Sequence, residues 1–203
     1  DDAACTAEIF VKFVKMLADR DILDVDELNK QGAVSANTIK KLPTYHVIIF
    51  ARNETGRINL YKLVSQSHLK YYHRRPRVPK SILQKYRDGL LVGSACEAGE
   101  LYQALLDGQS DAQIARLVKF YDYLEIQPDG NNKFMLTTEK PPYDRIHTAE
   151  DIKDINRFIV KLGEDLGIPV CATGDVHFMD KTDAQFRSVI QASMGFPDAD
   201  TQP

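Results

Sequence analysis

The sequence predicts an α/β domain with parallel strands. Short apolar runs alternate with helical patterns over most of the 203 residues. Capping or breaking residues bracket those patterns, and candidate ligands fall where strands end. Residues 2–19 open the chain as a helix, with Ile9, Phe10, Phe13, Val14 and Leu17 at helical spacing. Residues 20–44 are polar and weakly patterned, with Gly32 and Pro43 as breakers, and read as a connector. His46 to Ala51 is an apolar run of strand length. Asn53 to Gly56 turns the chain, and Leu60, Leu63, Val64 and Ser67 mark the face of a second helix.

Two prolines and three arginines between Tyr71 and Pro79 predict a loop, followed by a short helix through Ile82, Leu83 and Tyr86. Gly89 to Ser94 is the next strand. Ser94 and Glu97 stand at the spacing of a capping box, which predicts a helix from there to about Leu106. Ser110 and Gln113 repeat the signal ahead of a helix reaching Phe120. Tyr121 to Ile126 alternates like a half-buried strand and stops at Pro128. Residues 129–147 read as a polar insertion. Thr148 caps a long helix whose core face is Ile152, Ile155, Phe158, Ile159 and Leu162, and Gly167 ends it. Ile168 to His177 is a strand running into a Gly-Asp turn. A last helix carries Phe186, Val189 and Ile190, with a frayed tail after Gly195. Four strands are legible, whereas a closed barrel needs about eight; either the sheet is open or part of a barrel is missing.

Composition narrows the function. Hydrophobic residues make up 43% and charged residues 27%, which excludes wholesale disorder and a disulfide-dense scaffold. A net charge of −3 is wrong for a chain whose main work is wrapping phosphate backbone. No apolar run approaches the roughly 18 to 20 residues of a membrane span, and the acidic start does not read as a signal peptide. Three widely spaced cysteines point to reduced thiols and a cytoplasmic location, with Cys5 and Cys171 as core residues.

The sharpest local feature is Asp175-Val-His177. Residues i and i+2 of a strand point the same way, so a carboxylate and an imidazole would converge, a pair suited to zinc, manganese or iron. As a bare pattern it also fits a turn aspartate beside a surface histidine. Cys96 stands at a strand-to-helix junction, where a helix N-terminus would favour the thiolate; a small buried cysteine is the plainer alternative. Glu97 and Glu100 are explained as first-turn acids. His46, ahead of a strand, gains interest only from its company, and Glu125 is either paired inside or facing solvent. Tyr71, Tyr72 and His73 interleave with Arg74, Arg75, Arg77 and Lys80, a mixture suited to single-stranded nucleic acid or to a solvated loop whose arginines bind carboxylates. No P-loop, dinucleotide fingerprint, nucleophile elbow or His-Glu-x-x-His is present.

Four separated segments go further. Residues 45–65 (YHVIIFARNETGRINLYKLVS), 72–79 (YHRRPRVP), 89–100 (GLLVGSACEAGE) and 172–177 (ATGDVH) together resemble the polymerase-and-histidinol-phosphatase (PHP) domain of bacterial replicative DNA polymerases, in the order and spacing of PolC-type DNA polymerase III alpha subunits. The resemblance covers about residues 45–195. It implies a distorted (β/α)7 barrel of TIM-barrel type, incomplete here, with metal ligands at His46, Cys96, Asp175 and His177. Zinc or manganese would occupy that site, and magnesium would serve the parent polymerase. PolC-type enzymes carry a DnaQ-like 3′–5′ exonuclease inserted in the PHP domain. Residues 1–20 resemble its last helix, with Asp2 matching its final metal-binding acid, residues 21–44 a connector, and residues 196–203 a tail. The chain is then expected to be a fragment without a polymerase site and without activity of its own. Its parent would synthesise DNA from dNTPs, proofread, and work with replisome subunits such as the sliding clamp, with no membrane partner. Two other readings stay open: an active metal-dependent phosphoesterase serving as a second proofreading nuclease, and a free-standing phosphatase of small phosphate esters. The resemblance also implies exposed sheet surface and self-association of the fragment.

Overall fold

The computed structural model describes residues 2–32, 38, 42–138 and 141–195. The readings for residues 33–37, 39–41 and 139–140, and for the tail at 196–203, lie outside them. The chain divides into two compact units, Asp1–Pro43 and Thr44–Pro203. The first holds α1 (Asp2–Ala18) and α2 (Val25–Gln31). The stretch expected to be a plain connector therefore carries a short helix. The periodic apolar residues of α1 do form a helix, but Phe10, Val11 and Phe13 are exposed. Cys5 is exposed too, which corrects its reading as a core residue.

The second unit follows the order β1 (Ile48–Ala51), α3 (Glu54–Leu69), α4 (Lys80–Lys85), β2 (Leu90–Gly93), α5 (Glu100–Leu106), α6 (Asp111–Val118), β3 (Leu124–Ile126), two 3-10 segments (Asp129–Thr137 and Tyr143–Arg145), α7 (Ala149–Leu166), β4 (Val170–Ala172) and α8 (Asp183–Ser193). β3 and β4 pair in parallel, Leu124 opposite Val170. β1 and β2 pair antiparallel, Ile48 opposite Gly93, which corrects the all-parallel expectation. A single parallel bridge from Gly93 to Tyr123 links the two pairs. Among the described residues no closed barrel is found.

Local sequence explains the framework. Asn53, read as part of a turn, is the N-cap of α3, its side chain accepting from the Gly56 amide at 2.9 Å. α3 crosses the Gly89 turn so closely that a Cβ on Gly56 would fall 1.8 Å from the Gly89 carbonyl oxygen. Arg87 pairs with Asp122, whose carboxylate also accepts from the Val92 amide, so the end of α6 and β2 are pinned together. α7 begins with the predicted capping box of Thr148 and Asp151 and ends at Gly167 in the left-handed conformation (φ 67°). Gly163 lets α7 lie directly on Val170 of β4.

The core gathers between these elements, where Val92, Val118, Leu124 and Met135 are wholly buried. Two readings need correction here. Residues 129–147 are no polar excursion, because Phe134, Met135 and Ile146 plug the core. The strand at 121–126 does not alternate, because Leu124 and Glu125 are both buried.

Candidate metal centre

The site is built by the chain that follows β2. The expected helix from Ser94 does not form; α5 starts only at Glu100, after Gly99 in extended conformation. Ser94 is buried, and its hydroxyl accepts from the Glu125 amide at 2.9 Å instead of capping its own neighbours. Ala95 then takes a positive φ of 61°, rare for a residue with a Cβ. That turn frees Cys96 and Glu97 from a helical path and directs both to one side. The segment is held by the His46 amide donating to the Ala98 carbonyl, by Gln103 donating to the Glu97 carbonyl, and by a tight turn in which a Cβ on Gly99 would fall 2.2 Å from the Ser94 oxygen.

Asp175 arrives from the other side. It lies three residues beyond β4, also at positive φ (46°). The ligand atoms of Cys96, Glu97 and Asp175 all stand within 4.8 Å of one another. The imidazole of His46 adds Nδ1 at 3.3 Å from the Cys96 sulfur. His177 points elsewhere: its Nδ1 meets the Asp175 carbonyl at 2.7 Å and its ring is exposed. The strand-like convergence of residues 175 and 177 is absent because β4 ends at Ala172 and Asp175 breaks the extended path.

The electrostatics reverse another expectation. Burial first, and then the negative charges of Glu97 and Asp175, push the Cys96 thiol up to about 12. No helix dipole lowers it, because α5 begins four residues later. A thiol, two carboxylates and an imidazole with nothing positive between them form the donor set of a cation site, and imidazole, thiolate and carboxylate suit zinc, manganese or iron. Behind the loop a crevice is lined by Cys96, Glu97, Glu125, Gln127, Asn132 and others. The Gln127 Oε1 and Asn132 Oδ1 atoms there are buried and have no hydrogen-bond partner among the described residues. The residues thus fit a bound metal.

Glu97 is the residue that sequence reasoning missed, since its place in an apparent capping box explained it away. Glu125 is buried and paired, accepting from the Thr173 hydroxyl at 2.7 Å. Cys171 is exposed rather than core. Asp2 lies exposed in the first turn of α1, in the other unit. In the basic loop, Arg74 and Arg75 are exposed and Arg77 is half-buried, while Lys80 pairs with Glu100 and stands over the Phe120 ring. Among the described residues no helix is long and apolar enough to cross a membrane.

Comparison with known proteins settles the family. The model of the PHP domain matches residues 8–129, and the chain belongs to that family. It is 49% identical over its whole length to the DNA polymerase III PolC-type of Clostridium perfringens, and 43% identical to that of Caldanaerobacter subterraneus subsp. tengcongensis, covering 14% of each. Over 96% of the chain it is 39% identical to the DNA polymerase III PolC-type of Bacillus subtilis, covering 13% of that protein. The chain therefore spans about one-seventh of the length of these relatives.

Proposed function

We propose that this PHP domain is a metal-holding scaffold within a replicative DNA polymerase of the PolC type. The observation that carries the reading is the meeting of Cys96, Glu97 and Asp175, with His46 against the sulfur, in a chain whose relatives named PolC-type match it from end to end. These side chains come from segments far apart in the sequence. A metal held by them would tie the loop after β2 to the loop after β4 and neutralise charges that otherwise repel.

In this reading residues 45–195 are the later part of a distorted (β/α)7 PHP barrel, residues 1–20 the last helix of a DnaQ-like exonuclease with Asp2 as its residual acid, and residues 21–44 the connector. Zinc or manganese occupies the site formed by His46, Cys96, Asp175 and His177. The whole polymerase acts in the cytoplasm on DNA and dNTPs with magnesium, beside replisome subunits such as the sliding clamp. Arg74, Arg75, Arg77 and Lys80 lend a weak nucleic-acid contact. The isolated fragment self-associates through apolar surface such as Phe50 and Val64, both exposed.

A second reading is favoured by the exposure of the His177 imidazole two residues after Asp175, which in that reading serves phosphoester hydrolysis at a metal. One assay separates the two. A polypeptide carrying the complete PHP domain, tested for phosphodiester hydrolysis with added metal, is expected to be no more active than its Asp175→Ala and His177→Ala variants, while Asp175→Ala lowers metal content and thermal stability. Metal-dependent hydrolysis that both variants abolish would overturn the scaffold in favour of the phosphoesterase.

A further inference from the structure

We propose that Glu97 is itself a metal ligand, and that its carboxylate shifts the preference of the site from zinc toward harder cations such as manganese. The inference rests on the metal-holding reading above and adds Glu97 to the ligand set of His46, Cys96, Asp175 and His177 that the family resemblance implies. Three observations lead to it. The Glu97 carboxylate shares a 4.8 Å cluster with the Cys96 sulfur and the Asp175 carboxylate, so a single ion between them is within reach of all three. The backbone is bent to put it there: Ala95 takes φ 61°, and the Glu97 carbonyl is held by the Gln103 amide at 2.7 Å. A helix begun at Ser94, as the capping pattern invites, would have turned Glu97 onto its first turn.

The third observation is independent of the cluster. The crevice that Cys96 and Glu97 line also contains Asn132, 1% exposed, and Gln127, 7% exposed. Each keeps one side-chain oxygen without a partner, Oδ1 and Oε1 respectively. A buried unpaired acceptor costs about 1–3 kcal/mol. A cation bound at Cys96 and Glu97, which line the same crevice, would set a positive charge near these oxygens. A site of one thiolate and one imidazole alone would favour a soft metal. A second carboxylate beside Asp175 supplies a hard oxygen donor, the class preferred by manganese over zinc.

The test uses the full polymerase chain, freed of metal and loaded with cobalt(II). Thiolate-to-cobalt absorption, removed by Cys96→Ser, reports this site apart from any other metal the chain binds. Manganese is then titrated in, and loss of the absorption reads its competition with cobalt. Glu97→Gln, which keeps shape and hydrogen bonding, is expected to weaken cobalt binding at least about tenfold and to reduce the manganese-to-cobalt preference by a similar factor. Glu97→Asp is expected to restore part of that preference, and far-UV circular dichroism checks that both variants fold. Unchanged cobalt affinity and unchanged manganese competition in Glu97→Gln would overturn the assignment while leaving the scaffold standing. Absence of the thiolate absorption in the unsubstituted protein would overturn both.

Discussion

The loop after β2 and the loop after β4 deliver the two sides of the same site, and they are built in opposite ways. In the first, Ser94, Ala95 and Gly99 are buried, and the segment is fixed by the Ser94 hydroxyl accepting from the Glu125 amide and by backbone carbonyls accepting from His46 and Gln103. In the second, Val176 is 87% and Met179 96% exposed, and the segment is tied down chiefly by Asn131 donating to the Gly174 carbonyl. One side is preorganised, whereas the other depends on what it meets. With the first loop already fixed, the ordering cost of binding a metal falls on the second loop alone.

The largest test of this contrast is Gly99→Ala. The added Cβ would fall 2.2 Å from the Ser94 oxygen and 2.9 Å from the Cys96 oxygen, both backbone atoms that cannot step aside. The expected cost is about 3 kcal/mol of unfolding free energy, as for other overpacked buried positions. Urea denaturation measures it, and a loss under 1 kcal/mol would mean the loop is far softer than its contacts imply. Next comes Ser94→Ala, which leaves the buried Glu125 amide without an acceptor and should cost about 2 kcal/mol. If β3 relaxes to bond water instead, the loss will be near zero, and the anchoring role of Ser94 fails.

Ser94 also shows where the sequence was legible and where it was not. Much of the fold was legible locally: the capping box of Thr148 and Asp151, the left-handed Gly167 and the apolar face of α7 are all encoded within one helix. Cys96 and Asp175 were legible as residues following strands. Ser94 and Glu97 carry a matching local signal, yet the hydroxyl goes to an amide 31 residues away. A long-range bond outcompetes a local cap only when a third element is already in place, and no window of sequence shows that. The same holds for Glu125, whose pairing with Thr173 is a tertiary fact, and for the apolar residues of 129–147, too sparse to form a periodic pattern but sufficient to plug the core.

Acid should act on the two loops unequally. The His147 and Thr148 amides donate to Asp151 and hold its carboxyl below the usual carboxylate range. A lowered folded-state value means that its stabilisation is present above the unfolded value, about 3.9, and is lost as pH falls through the folded one. α7 packs on β3 and β4, so below about pH 4 its first turn should fray and loosen the support of the second loop before the first. Amide protection at residues 148–152 that falls in acid, relative to intrinsic exchange, while residues 94–99 stay protected is the expected result, and Asp151→Asn should reduce the pH dependence, leaving the share of Glu150. Equal loosening of both loops would erase the contrast.

The smallest expected effect is the most discriminating. Gly174 stands in the second loop as Gly99 does in the first, and the same substitution can be made at both. A Cβ on Gly174 would meet only the Val176 side chain, at 3.2 Å, and that side chain is itself exposed and free to turn. Gly174→Ala should therefore change stability by no more than about 0.5 kcal/mol. It also narrows the conformations open to the segment before Asp175, which would slightly favour metal capture if the native path is retained. Unfolding curves for the two glycine variants, run side by side, put the contrast on one scale. A Gly174→Ala loss approaching that of Gly99→Ala would show that the second loop is as tightly specified as the first, and that its exposure conceals a constraint as strict as burial.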